Sequence, residues 1–218
     1  MRNGIWLIVG TVVSAGLLAG ACSASAGQKA KTALIAFSAG GRGGVNDLYV
    51  VRPDGRGLRR ITHERAWQFT PSWSPDRKQI VYRFQRGDDR TSEIHVVDAD
   101  GSHDRSLTGN NSSDWSPALS PDGKRIAFAS GRDSGSVGDI YVMKADGSTP
   151  KRLTRDRDID EYPAWSPDGR RIVFSSTRGV VFSGDSRALW MMNADGSHLR
   201  RLTRGHYDMR PAWSPDGK

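Results

Sequence analysis

The chain alternates short apolar runs with turn residues at regular intervals. Between residues 160 and 203 the pattern predicts four strands. Tyr162 to Ser166 enters a turn at Pro167-Asp168-Gly169; proline presets φ there and glycine takes the positive φ that follows. Arg171 to Ser176, with Ile172, Val173 and Phe174 at its centre, is the second strand. Ala188 to Met192 is the third, and Asn193-Ala194-Asp195-Gly196 closes a hairpin of the mirror-turn type. Leu199 to Thr203 is the fourth and outermost. The runs Ile172-Val173-Phe174 and Ile140-Tyr141-Val142-Met143 are apolar on both faces. A sheet of that kind has to be covered on both sides, which radially packed blades provide.

The unit repeats. Trp73-Ser74-Pro75-Asp76 returns as Leu119-Ser120-Pro121-Asp122, Trp165-Ser166-Pro167-Asp168 and Trp213-Ser214-Pro215-Asp216, at spacings of 46, 46 and 48 residues. Asp-Gly recurs at Asp54-Gly55, Asp100-Gly101, Asp146-Gly147 and Asp195-Gly196. An Ile-Thr or Leu-Thr pair recurs at Ile61-Thr62, Leu107-Thr108, Leu153-Thr154 and Leu202-Thr203. Three independent markers keep one phase. The long loop from Gly179 to Arg187 accounts for the longer last period. Variable loops on one rim are where such folds carry specificity.

Pro163-Ala164-Trp165-Ser166-Pro167-Asp168-Gly169, Asp139-Ile140-Tyr141-Val142-Met143 and Asn193-Ala194-Asp195-Gly196-Ser197 resemble the repeat of the TolB-type propeller family. The resemblance covers roughly residues 33–218. It implies an all-β fold, a β-propeller of four-stranded blades, four of which are present here. The first unit opens at Ala33 on what aligns with a second strand, and the last reaches a first strand only. Two readings follow: four blades closed by pairing Arg210 to Ser214 with the first unit, or part of a six-bladed or larger propeller. Known members include a periplasmic Tol–Pal component, lipoproteins, sugar lyases and the gating propellers of prolyl-oligopeptidase-like hydrolases.

Residues 1–21 have the architecture of an export signal: Arg2, then an uncharged apolar stretch from Ile5, then small residues before Cys22. Leu17-Leu18-Ala19-Gly20-Ala21-Cys22 resembles a bacterial lipobox, which implies lipidation of Cys22 and a tether over 22–32 before the propeller at 33–218. A plain cleaved signal and a short uncleaved anchor are the alternatives. Cys22 is the single cysteine, so no disulfide framework exists. The formal charge is +8, but the arginines fall in ones and twos, as at Arg59-Arg60 and Arg200-Arg201. That pattern suits solvated strand edges and not a nucleic-acid footprint.

Five residues before Trp73, Leu119, Trp165 and Trp213 stand Gln68, Asp114, Asp160 and Asp208. Placed just before the innermost strands, they could face a central channel together and hold a hard cation or a basic peptide end; capping of local turns is the alternative. Trp67 and Trp115 are candidates for stacking a sugar or peptide at the channel mouth, or for burial between blades. The histidines His63, His95, His103, His198 and His206 share no repeat position. No His-x-x-x-His or Cys-x-x-Cys pattern occurs, so neither a built zinc site nor another cofactor is expected. No Gly-x-Ser-x-Gly elbow occurs either.

The expectation is a non-enzymatic binding module or scaffold, exported and lipid-anchored at the cell envelope on its periplasmic or extracellular face. Its partner would be a protein, a peptide or a glycan. The competing expectation is the propeller portion of a hydrolase or lyase. A third is a scaffold that self-associates through unclosed blades.

Overall fold

The computed structural model describes residues 33–40, 45–87, 91–133, 137–179, 186–204 and 207–218. The export signal, Cys22, the tether, Gly41 to Gly44, most of the 179–187 loop and His206 lie outside the described residues.

Among the described residues fifteen strands build four antiparallel sheets in chain order. The first holds β1 (Ile35–Gly40), β2 (Asn46–Val51) and β3 (Arg59–Arg60). The second holds β4 (Ala66–Trp73), β5 (Gln79–Arg86), β6 (Glu93–Asp98) and β7 (Arg105–Ser106). The third holds β8 (Asp114–Leu119), β9 (Arg125–Ser130), β10 (Asp139–Lys144) and β11 (Lys151–Arg152). The fourth holds β12 (Asp160–Trp165), β13 (Arg171–Ser176), β14 (Ala188–Asn193) and β15 (Arg200–Arg201). Among the described residues three blades are four-stranded and the first shows the three strands β1 to β3. First strands pack on the first strands of neighbouring sheets, β4 on β8 and β8 on β12, so they form the inner layer.

Successive residues of one strand serve different cores. Ile80 and Tyr82 face the first sheet, in a cluster with Leu48, Val50 and Ile61. Val81, between them, joins Ile126, Phe128, Tyr141 and Met143 in the next cluster. Ala127 in turn packs with Ile172, Phe174 and Trp165 in the third. The period of two therefore glues each sheet to both neighbours, which explains runs that are apolar on both faces. Each fully buried Ile or Phe contributes roughly 1.5–3 kcal/mol.

The turns hold by repeated local bonds. Ser74, Ser120, Ser166 and Ser214 each donate Oγ–H to the Asp two residues on, at 2.5–2.7 Å. In the Asp-Gly turns, Asp100, Asp146 and Asp195 accept the backbone N–H two residues on, at 2.8–2.9 Å. These repeated aspartates are turn formers.

Candidate functional site

Every inner strand contains a bulge. The register slips between Phe69 and Ser72, Trp115 and Ala118, and Glu161 and Ala164. The slip coincides with a residue before proline at positive φ: Thr70 at 50°, Ser116 at 54° and Tyr162 at 55°, with Arg210 at 55° in the matching C-terminal segment. Such residues are strained, and a bulge re-aims its side chain. The proline of each Pro-Ala/Ser-Trp/Leu motif thus marks a bend in the layer nearest the axis.

The acidic positions lie inside this layer and not before it. Asp114 and Asp160 are the first residues of β8 and β12, and Gln68 is the third of β4. The strands begin earlier than their apolar pattern suggests. Asp114, Asp160 and Gln68 have no exposed surface, and Asp208 is half-buried. The carboxylates take guanidinium partners from the loop after the second strand. Arg132 Nη2 lies 3.1 Å from both oxygens of Asp114, and Asn110 donates to Asp114 at 2.7 Å. Arg178 Nη2 lies 3.1 Å from Asp160 and also pairs with Asp156. Asp208 accepts Thr203 Oγ–H at 2.5 Å. Gln68, in the sheet without the acid, accepts the hydroxyl of Thr62, and its cross-strand neighbour is Phe84 where the acids face Ser130 and Ser176.

The backbone at these positions ties sheets together. Asp114, Asp160 and Asp208 donate N–H to the carbonyls of Ser92, Gly138 and Arg187, each just before a third strand of the preceding sheet. The threonine markers act within each sheet, holding the end of the outermost strand to its neighbour. Thr62, Thr108, Thr154 and Thr203 accept at Oγ1 the N–H of Leu48, Ile94, Ile140 and Leu189, at 2.9–3.0 Å.

A second acidic tier opens the third strands. Arg60 bonds buried Asp47 at 2.8 Å, and Arg152 bonds buried Asp139 at 2.7 Å. Glu93 holds the same place in the second sheet and accepts Ser106 Oγ–H at 2.5 Å. Sequence reasoning missed Arg60, Arg132, Arg152 and Arg178. A signal was present: acid and arginine stand 18 residues apart in one tier and 13 in the other.

Burial pushes the Asp160 carboxyl up to about 7, against the Ser176 and Thr154 hydroxyls, which favour ionisation. A raised folded value makes the native state hold a proton that the unfolded chain has lost, so stability falls as pH rises from about 4 to 7. At ~1.4 kcal/mol per unit, the full effect is on the order of 4 kcal/mol. The turn aspartates Asp76, Asp100, Asp122 and Asp146 are instead lowered, first by serine hydroxyl bonds. Their contribution is present above the unfolded value and lost as pH falls through the folded one. Chemical denaturation from pH 4 to 8 should show the decline in the parent chain and a flattened profile in Asp160→Asn, with Arg178 retaining Asp156. An unchanged slope in that variant would refute the assignment.

The two tryptophans part company. Trp115 packs its ring on Gly138 of its own sheet, where an added Cβ would sit 2.5 Å from the indole, and is half-buried. Trp67 is 37% exposed and stacks on Phe69 at 5.9 Å. Both lie within inner strands and not before them, and at different positions of the repeat. Arg83, paired across from Phe69, places its guanidinium 5.8 Å from that ring. Its Nε is buried without a partner while Nη2 donates to Gln85 at 2.8 Å. Burial lowers the guanidinium below its usual range, and Tyr162 and Glu161 of the fourth sheet act against that. Arg83 therefore feels groups from across the inner layer. Among the described residues, no group of three or more His, Cys, Asp or Glu side chains is arranged to hold a metal ion.

The profile of the TolB β-propeller domain matches residues 110–218. A TolB structure from Agrobacterium tumefaciens is 30% identical and superposes with a TM-score of 0.71, over 84% of this chain and 67% of its own. A TolB structure from Acinetobacter baumannii is 26% identical with a TM-score of 0.63, over 79% of this chain and 41% of its own. An oligogalacturonate lyase solved with manganese, at 15% identity and a TM-score of 0.59 over 78% of this chain and 51% of its own, shares the fold alone. No curated protein matches the chain in sequence. Repeat, sheet order and superposition agree: the chain belongs to the TolB β-propeller family.

Proposed function

We propose that the chain is a non-enzymatic binding module of the cell envelope, anchored by lipid at Cys22, which receives a protein or peptide segment on its inner-strand face. One observation carries the reading. The buried acids of the inner layer are engaged by arginine and by hydroxyl and amide side chains, whereas Trp67, stacked on Phe69 beside Arg83, is open. An exposed aromatic next to a desolvated guanidinium is the composition of a protein-binding hot spot. Family likeness alone would not carry this, because propellers host unrelated activities.

A photo-crosslinking residue at position 67, in cells of the native host, should capture a discrete protein adduct. The same residue at Lys144, exposed at the end of β10, should not. Adducts at neither position, or equally at both, would remove Trp67 from the binding surface; an adduct that is a glycan would transfer the site to that ligand class. Cys22→Ser should move the protein from the membrane fraction to the soluble one; retention would overturn the lipid anchor.

A further inference from the structure

Of the four Ser-Pro-Asp turns, three follow a tryptophan and one, Ser120-Pro121-Asp122, follows Leu119. The departure falls at the junction between the second and third sheets. The next junction shows what an indole does there. Trp165 shares a cluster with Ala127 and Val142 of the third sheet and Ala194 of its own. It donates Nε1–H to the Ala118 carbonyl at 3.0 Å. The Arg125 guanidinium covers its ring at 4.5 Å and donates to the Gly169 carbonyl at 3.2 Å. Arg171 covers Trp213 in the same way, at 4.8 Å. An indole under a guanidinium therefore occupies this place in the repeat.

Between the second and third sheets both parts are missing. Leu119 stands where Trp165 does, and Gln79 where Arg125 does. The backbone fixes the second equivalence, since Ser74 and Ser120 donate N–H to the Gln79 and Arg125 carbonyls, each at 2.8 Å. Gln79 turns its amide to Asp98 of its own sheet at 3.0 Å. The turns still meet as they do at the next junction: a Cβ on Gly123 would sit 3.4 Å from Pro75, and one on Gly169 3.8 Å from Pro121. Val81 in place of Ala127 fills part of the room, and a cleft of about 240 Å³ remains. Buried Val81 and Val96, with Leu119 and Ala145, make its apolar floor, and exposed Asp76 and Asp122 stand at its rim. The turn bonds of each carboxylate engage Oδ1 alone.

We propose that this cleft is a binding site for a small aromatic cation, an arylalkylammonium. Size sets the first limit. A cavity of roughly 150 Å³ holds one benzene ring, and drug-sized ligands take about 300 Å³ or more. The cleft therefore admits one ring system and not an oligosaccharide. Chemistry sets the second. The apolar floor favours a flat hydrocarbon body, and two carboxylates above it favour a positive charge. Ring and cation are also the pair that the chain itself supplies at the next junction. The cleft lies past the end of β4 opposite to Trp67, and the proposal is independent of the ligand reading above.

The test titrates tryptamine into the purified full chain and reads binding by ligand-observed NMR. Tryptamine should bind at least about ten-fold more tightly than indole-3-propionate, which carries the same ring and the opposite charge. Gln79→Arg/Val81→Ala/Leu119→Trp gives this junction the side chains of the next one, and should weaken tryptamine by about ten-fold or more. Because that variant repacks a core, a second one leaves the core alone. Asp76→Asn/Asp122→Asn keeps the Oδ1 acceptor of each turn, and the loss of two charges should weaken tryptamine about five-fold while leaving indole-3-propionate no weaker. Trp67→Ala should bind tryptamine as the parent does. A parent chain that does not bind tryptamine, or that binds both ligands equally, overturns the proposal. Binding unaltered in the folded triple variant or in the asparagine variant overturns it too, and so does binding lost in Trp67→Ala, which would move the ligand to the inner-strand face.

Discussion

Gly147→Ala should destabilise the protein by roughly 3 kcal/mol or more, while Gly55→Ala, at the equivalent position one blade pair earlier, should cost only ~1 kcal/mol. Both glycines close an Asp-Gly turn at positive φ, 94° and 76°, and an alanine there carries the left-handed penalty of about 1–2 kcal/mol. The difference lies in what stands behind the turn. A Cβ on Gly147 would sit 2.6 Å from the backbone carbonyl of Leu107 in the preceding sheet. A carbonyl held in that position cannot swing aside as a flexible side chain can, so the two sheets must separate and the cluster between them loosens. Gly101 makes the same approach to Ile61, at 2.5 Å. Gly55, in the first sheet, has nothing within 4 Å. Thermal unfolding should show Gly147→Ala lowered by roughly 6–12 °C, at about 2–4 °C per kcal/mol for a chain of this size. Equal losses for the two variants would mean that backbone conformation, not blade contact, sets the cost.

That contact also explains why so much of the fold was legible in the sequence. The Asp-Gly and Ile/Leu-Thr markers hold one phase because they touch across every sheet junction: Gly101 on Ile61, Gly147 on Leu107, Gly196 on Leu153. The Ser-Pro-Asp marker is a turn whose bonds are local. Features enforced by local geometry and by the nearest neighbour recur at the repeat period and can be counted. The acidic positions were legible as a set, but their role was not. Asp114 and Asp160 do not gather toward an open channel; each is closed over by an arginine 18 residues away. Those arginines recur with the repeat, Arg132 and Arg178 standing 46 residues apart, but arginine is so frequent at turn edges here that the spacing alone does not single them out as partners. Trp67 and Trp115 looked alike from their distance to the motif. Their fates diverge because the Trp115 indole lies on Gly138, whereas Trp67 stands exposed against Phe69. A neighbour from another stretch of the chain decides that, and one strand's sequence does not contain it.

Arg152→Ala should cost about 3–5 kcal/mol, well beyond what its partly exposed side chain suggests. Asp139 has no exposed surface; Arg152 holds one of its oxygens at 2.7 Å, and the Thr154 hydroxyl lies 3.3 Å from the other. Arg152 also donates Nε–H to the Thr154 carbonyl at 2.8 Å. Thr154 accepts the Ile140 N–H, so one guanidinium steadies the whole corner of the sheet. Removing it leaves a carboxylate in the interior with a single weak donor. The double variant Asp139→Leu/Arg152→Met should recover most of the loss, since an ion pair replaced whole by apolar groups is often neutral. The fourth sheet supplies the control. There Ala188 stands where Asp139 does, and Arg201 turns instead to the carbonyl of Gly179 at 3.1 Å. Arg201 also donates Nε–H to the Thr203 carbonyl at 2.7 Å, but with no buried charge to balance, Arg201→Ala should cost only about 1–2 kcal/mol, the scale of two neutral-acceptor bonds. If Arg152→Ala and Arg201→Ala unfold at the same denaturant concentration, the arginines serve as surface charge and the buried tier does not depend on them. If they separate as expected, the buried acids of this propeller are neutralised by arginines of their own sheets, Arg60 for Asp47, Arg132 for Asp114, Arg152 for Asp139 and Arg178 for Asp160.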